Sequence, residues 1–236
     1  MSIPVTDRGR REDGAPVGSF VTLVGNPRAG SRTRTVAEAA AEAVGRRIGH
    51  DGPGEVVDLA ALGPHLLAPG PSAGVEVALE LVAGADVLVV ASPTYKASYT
   101  GLLKAFLDRL PGGALTGTTA LPLLVMGDPR HALAVELHLR PVLVELGAHV
   151  PTPGLAVLEA QIPDLDEVLG RWADRVVPQV AGALGEGVSM TETLPGALPG
   201  RFRRFRRPGQ PGAGPGGRWT AASSAGRSPC TPRAWS

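Results

Sequence analysis

Cysteine is almost missing from this chain of 236 residues: Cys230, near the C-terminus, is the only one. Within the sequence an internal disulfide is therefore impossible, and neither a thiolate metal cluster nor C-x-x-C redox chemistry has support. Long apolar runs are missing too. None approaches the roughly 18 residues of a membrane-spanning helix. The polar opening MSIPVTDRGRREDGAPVG has no apolar core segment of the kind a secretory signal needs. The expected location is cytoplasmic, with no membrane association. Aromatic residues make up only 4% of the chain, two of them tyrosines, and lysine supplies only Lys96 and Lys104 among 23 basic side chains. Beside so much alanine, glycine and proline, the arginine excess reads as a genomic bias rather than a functional device.

What is present divides into two parts of opposite charge. From Thr193 onward there are eight arginines and no acidic residue, whereas the 192 residues before it hold 15 basic and 22 acidic side chains, a net of −7. An acidic folded part is not expected to carry a broad nucleic-acid-binding face. Residues 1 to 18 and 186 to 236 read as disordered. The second stretch is rich in Gly, Pro, Ser and Arg and cannot bury enough apolar surface to offset its ordering entropy. Its segment RFRRFRR, residues 201 to 207, interleaves aromatic and positive side chains. That pattern can contact RNA or an anionic surface, but a solvated tail is the expectation.

Residues 19 to 185 read as one domain. FVTLVGN, GEVVDLA, DVLVVASPTY, TTALPLLVMG and AHVPTPGLAVLE have the short apolar character of strands. Between and after them, TRTVAEAAAEAVGRRI, GVEVALELVAGA, YTGLLKAFLDRL, RHALAVELHLRPVLVELG and DLDEVLGRWADRVVPQVAGAL have helical spacing. Five strands alternating with helices predict a three-layer α/β domain with a mainly parallel sheet. Leu102, Leu103, Phe106, Leu107 and Leu110 share one helix side. Pro122 is expected to place its strand at an end or an edge, Pro141 to kink its helix, and Asp164 to cap the last helix.

Ligands of such sheets bind beyond the C-terminal ends of the strands, where strand order reverses. Three loops meet that description: residues 25 to 33, 92 to 99 and 126 to 131. The first, GNPRAGSRT, has neither the three spaced glycines of a dinucleotide turn nor the lysine of a triphosphate-binding loop. Its Ser31, Arg32 and Thr33 fall at a helix start, where unpaired N–H groups attract an anion, and Arg28 and Arg32 can add charge-assisted hydrogen bonds. A terminal monophosphate fits; so does plain capping by Ser31 or Thr33 with solvated arginines. The second loop holds both tyrosines of the chain, Tyr95 and Tyr99, beside Ser92, Pro93 and Thr94. Such residues can line a planar heteroaromatic ring or simply anchor the loop.

GNPRAGSRT, ASPTYKASYTGLLKAFLDRLP, LPLLVMGDPRHALAVE and LRPVLVELGA, in this order and spacing, resemble the NAD(P)H-dependent FMN reductase family. They look most like the reductases that supply reduced FMN to alkanesulfonate monooxygenases. The resemblance covers roughly residues 20 to 160. It implies a flavodoxin-like three-layer sandwich with a five-stranded parallel sheet. It further implies that Arg28, Ser31, Arg32 and Thr33 hold the FMN phosphate, that Pro93, Thr94, Tyr95 and Lys96 line the isoalloxazine, and that Gly127 lies near its other side. His131, in the third loop, is a candidate contact to flavin or nicotinamide. NADPH or NADH is the implied hydride donor, a flavin-dependent monooxygenase the implied partner, and a homodimer or homotetramer the implied assembly, with Lys104 and Asp108 near a subunit contact.

Hydride transfer to a flavin needs no side-chain nucleophile or acid–base pair, and the sequence offers none. His131 and His138, seven residues apart without a third ligand, do not make a metal site. Two departures stand out. Relatives often carry Gly-Gly-Thr after the fourth strand, where this chain has Met126-Gly127-Asp128, which brings a negative charge toward the flavin site. Some relatives also carry a π-bulge with a tyrosine, where this chain has Leu137 and His138. Two other readings stay open: a reductase with permanently bound FMN acting on quinones, azo dyes or metal ions, and a non-enzymatic flavodoxin-type electron carrier.

Overall fold

The structure, a computed structural model, describes residues 18–50 and 54–185. The expectations for residues 1 to 17 and for the tail from 186, RFRRFRR included, lie outside the described residues. Five strands form one parallel sheet: β1 (Phe20–Val24), β2 (Glu55–Asp58), β3 (Val87–Pro93), β4 (Thr119–Met126) and β5 (Leu155–Leu158), in the order β2-β1-β3-β4-β5. Every residue of β1, β3 and β4 is buried, as expected of central strands covered on both faces.

The period of two sorts their side chains. Val21, Leu23, Leu88, Val90, Leu124 and Met126 enter one core layer, and Val24, Val87, Val89, Leu121, Leu123 and Val125 the other. The first layer is closed by α3 (Ala73–Gly84), through Val75, Leu79 and Val82, and by α4 (Gly101–Leu107), through Leu103, Phe106 and Leu107. Leu110 is buried in the same layer and Leu102 packs against it, so the predicted apolar side holds. The second layer is closed by α1 (Arg32–Gly45), through Val36, Ala37, Ala40 and Val44, and by α6 (Leu165–Gly185), through Leu169, Trp172, Ala173 and Val176. The small alanines of α1 let α6 lie against it. A short helix, α2 (Gly63–Leu66), follows β2. No helix among the described residues is long and apolar enough to cross a membrane.

Two local expectations, those for Pro122 and Asp164, are corrected. Pro122 is in neither an edge strand nor a strand end: β4 lies between β3 and β5, and Pro122 is paired with Val90. The Ala120 N–H donates to the His149 carbonyl on the β5 side, and a step of two residues puts the Pro122 nitrogen on that side as well. There the β5 ladder has not begun. It starts at Leu123 opposite Leu155, after an isolated bridge between Thr119 and His149. Residues 150–154 bulge past the gap, so the proline costs no ladder bond. Asp164 stands immediately before α6, where a cap is expected, but it continues a 3-10 turn, Glu159–Asp164, and its side chain makes no capping hydrogen bond among the described residues. Pro141 lies in the first turn of α5 (Arg140–Glu145), which continues directly from a helical segment rather than starting anew. The helical irregularity is upstream, in the five-residue π-helix Val135–Leu139, which contains Leu137 and His138.

Side chains of that π-helix and of α5 serve the bulge. Arg140 donates to the carbonyls of Val150, at 2.8 Å, and of Thr152, and its guanidinium pairs with Glu136. Glu136 Oε1 in turn accepts from the Gly154 N–H at 2.5 Å. Backbone groups left without a ladder partner are thus met by one ion pair. The Arg140 hydrogen bond, aided by the Gly154 N–H, holds the Glu136 carboxyl below its ordinary value. A depressed folded-state value means the stabilisation is present at neutral pH and is lost as pH falls through that value. Glu136→Gln is therefore expected to lower the urea midpoint at about pH 7 and to flatten its decline below about pH 4. Parallel declines in the two proteins would remove the clasp from the account.

Candidate functional site

Strand order reverses between β1 and β3: the chain leaves β1 for β2 on one side and returns to β3 on the other. The loops that follow β1, β3 and β4 therefore open side by side at one end of the sheet, and hydrogen bonds stitch them together. The Gly25 N–H donates to the Ala91 carbonyl at 2.7 Å, and the Gly25 carbonyl accepts from Thr100 Oγ1 at 2.5 Å. The Thr100 N–H donates to Ser92 Oγ at 3.0 Å, and the Thr94 N–H to the Val125 carbonyl at 2.8 Å. Thr100 also caps α4 by accepting from the Leu103 N–H. No side chain larger than hydrogen fits at position 25, because a Cβ there would lie 2.6 Å from Leu103 Cβ.

The first loop is shaped by Asn26. Its Oδ1 accepts from the Arg28 N–H, forming an Asx turn, and its Nδ2 donates to Thr33 Oγ1, each at 3.0 Å. Gly30, with φ of 61°, then turns the chain into α1. Ser31 caps that helix, its Oγ accepting from the Arg34 N–H. The N–H groups of Arg32 and Thr33 have no acceptor within the helix. The plain capping role expected of Ser31 is thus real, and Thr33 is buried as the partner of Asn26 rather than facing outward. The two arginines differ. Arg28 is exposed, with no ion-pair partner among the described residues, whereas Arg32 Nη1 lies 2.9 Å from Glu159 Oε2, just beyond β5.

In the second loop Tyr95 and Ser98 exchange backbone hydrogen bonds of 2.8 and 3.2 Å across Lys96 and Ala97. Both central residues have positive φ, 52° and 63°. A two-residue turn of this form favours Asn-Gly, and a non-glycine residue in the left-handed region costs about 1–2 kcal/mol. Ala97→Gly is expected to raise stability by roughly 0.5–1 kcal/mol, the left-handed cost less glycine's own entropy. A urea midpoint unchanged or lowered by that substitution would contradict the strained turn. The hairpin leaves Tyr95 42% exposed, whereas Tyr99 is half-buried with its ring packed against the core, so Tyr95 is the more accessible to a ligand. Thr94 Oγ1 is buried and has no hydrogen-bond partner. An unpaired buried hydroxyl is unfavourable unless a ligand meets it, so the residues here fit a group with a polar heteroaromatic edge.

In the third loop Gly127 is exposed, and a Cβ on it would meet nothing within 4 Å. The negative charge expected from Asp128 is neutralised locally. Arg130 donates to it from Nη2 at 2.6 Å, from Nε, and from its backbone N–H, which pulls the carboxyl down to about 2. His131 ends the 3-10 turn Pro129–His131 and is half-buried, on a different element from His138, so the two share no regular helix face. Lys104 and Asp108 pair with each other at 2.5 Å on the exposed side of α4.

The three loops named from the sequence do lie side by side, but the residues that hold them together were not among those named. Asn26 and Thr100 had a signal, an Asx-turn residue two before Arg28 and a hydroxyl just before a helix. Glu159 had none, since only the tertiary fold brings it to Arg32. The depressions lined by Phe20, His50, Gly54, Glu55 and Val77 lie at the opposite end of the sheet.

The family model for NADPH-dependent FMN reductase matches residues 19–161. The chain is 38% identical over 146 residues to FMN reductase (NADPH) of Escherichia coli K12, covering 61% of this chain and 75% of that protein. It is 33% identical over 138 residues to the NADH-dependent FMN reductase SfnF of Pseudomonas putida, covering 57% and 74%. Among solved structures it resembles the apo form of the NADH:FMN oxidoreductase EMOB, at 35% identity and a TM-score of 0.61, covering 74% of this chain and 91% of that one. Sequence, sheet order and loop geometry agree: the chain belongs to the NADPH-dependent FMN reductase family, as a flavodoxin-like oxidoreductase that uses NAD(P)H to reduce FMN.

Proposed function

We propose that FMN is a dissociable substrate of this reductase, with its phosphate in the loop of residues 25–33 and its ring beside residues 93–96. We propose also that the reduced flavin passes to a flavin-dependent monooxygenase, of the sulfonate type. The observation that carries this reading is that loops lying side by side at the switch point hold three groups without a partner among the described residues. These are the Arg28 guanidinium, the first-turn N–H groups of α1 and the buried Thr94 hydroxyl.

The N–H groups of Arg32 and Thr33, at the positive end of α1, attract an anion. Arg28 and the Ser31 O–H add donors that suit a terminal phosphate. On the ring side, the Thr94 hydroxyl can bond a heteroaromatic edge, with Pro93 forming a buried floor and Tyr95 and Lys96 the rim. Gly127 leaves the other side open, with His131 next along that loop. When bound, FMN supplies the hydride-accepting chemistry; these residues position it, and none is assigned a proton. A phosphate site built largely from exposed donors favours moderate affinity and release. The exposed Leu133, just before the π-helix, and Leu137, within it, support self-association, as a homodimer or homotetramer. A cytoplasmic location, the expectation from the sequence, belongs to the same reading.

The test is NADPH and NADH oxidation by gel-filtered protein, with and without added FMN, FAD and riboflavin. The expected result is colourless protein whose turnover depends on added FMN. Yellow protein that turns over without added flavin would instead make FMN a resident group, and failure with every flavin would overturn the reading.

A further inference from the structure

Glu159 follows β5, on the 3-10 turn that leads into α6, and its carboxylate meets Arg32 at 2.9 Å. No other hydrogen bond or ion pair of the Glu159 side chain is present among the described residues. Arg32 opens α1, and among the described residues its guanidinium, unlike that of Arg28, already holds an anion. The pair is not a buried structural bridge: the two side chains are 64% and 40% exposed, and such pairs contribute little to stability. A phosphate that reaches this helix start therefore meets one free arginine and one arginine occupied by a weakly held carboxylate.

We propose that Glu159 sets the flavin affinity of this protein by competing with the phosphate for Arg32, keeping FMN exchangeable. The proposal rests on the reading that residues 25–33 hold the FMN phosphate. Its chemical sense is that of a release device. Uniformly tight binding of a flavin that must leave reduced slows release rather than helping turnover. A carboxylate poised on one of two arginines trims affinity while leaving both arginines to discriminate phosphorylated from unphosphorylated flavin. Because the competing charge acts on the phosphate alone, its removal must not alter binding of the ring.

The experiment is equilibrium titration of FMN and of riboflavin at fixed ionic strength. The proteins are the full chain, Glu159→Gln, Arg32→Gln and the double variant. The proposal expects Glu159→Gln to tighten FMN roughly two- to fivefold and to leave riboflavin unchanged. It expects no gain from Glu159→Gln once Arg32 is already Gln. FMN binding that is unchanged or weaker in Glu159→Gln would overturn it, marking the pair as a tie between the first loop and the end of β5. Equal tightening with Arg32 absent would also overturn it, because the effect would then be general repulsion. Equal affinity of the parent chain for FMN and riboflavin would remove the phosphate reading itself, and the proposal with it.

Discussion

Gly25→Val should cost the protein about 1–3 kcal/mol of stability and abolish flavin binding at concentrations that saturate the parent chain. Position 25 is where the end of β1 meets α4. Its N–H donates to Ala91, its carbonyl accepts from Thr100, and a Cβ would sit 2.6 Å from Leu103 Cβ and 3.1 Å from Leu103 Cγ. Leu103 cannot yield by rotating, because the closest atom is its own Cβ and the residue is fully buried. Either α4 or the first loop must move, and either movement parts the hydrogen bonds that set that loop beside the second. For a chain of this size a 1 kcal/mol loss lowers the melting temperature by about 2–4 °C. Gly101→Ala is the matched control. It stands next to Thr100 in sequence, but its Cβ would meet nothing within 4 Å. It should keep flavin binding and melt no lower than the parent. If Gly25→Val melts and binds like the parent, close approach at this point does not organise the site.

Arg28→Ala should raise the FMN dissociation constant by about tenfold or more, since hydrogen bonds to a charged group are worth about 1.5–3 kcal/mol. Riboflavin binding should change little, and turnover at saturating FMN should stay close to the parent value. The guanidinium is exposed and has no ion pair to lose among the described residues, so the melting temperature should not move. Ser31→Ala should also weaken FMN, but with a different signature. Its Oγ caps α1 by accepting from Arg34, and loss of a cap costs about 1 kcal/mol, so this variant should melt lower as well. Unchanged FMN affinity in both variants would take the phosphate out of this loop.

The fold was legible in the sequence because its signals are local. Continuous apolar runs in β1, β3 and β4 and the spacing of Leu103, Phe106 and Leu107 depend only on which faces are buried. Pro122 misled because its tolerance is tertiary: a gap in the β4–β5 ladder, filled by residues 150–154 and bonded by Glu136 and Arg140, makes its missing donor harmless. The π-helix was illegible for a related reason. Val135–Leu139 has ordinary helical residues, and what accompanies its register is a clasp onto a segment beyond α5. In the site, residue types at strand ends pointed to the three loops, but pairing decides what each residue can do. Arg28 and Arg32 look equivalent in GNPRAGSRT, yet among the described residues only Arg32 is engaged, by a carboxylate on another element. Tyr95 and Tyr99 look equivalent too, until the Lys96–Ala97 turn exposes the first and the second packs half-buried against the core.

The most direct measurement is hydrogen–deuterium exchange of the full chain with and without saturating FMN. The account predicts slowed exchange in residues 25–35, 94–100 and 127–131, the three loops at the C-terminal ends of β1, β3 and β4. Slowing confined to the opposite end of the sheet, around Phe20, His50, Gly54 and Glu55, would contradict it.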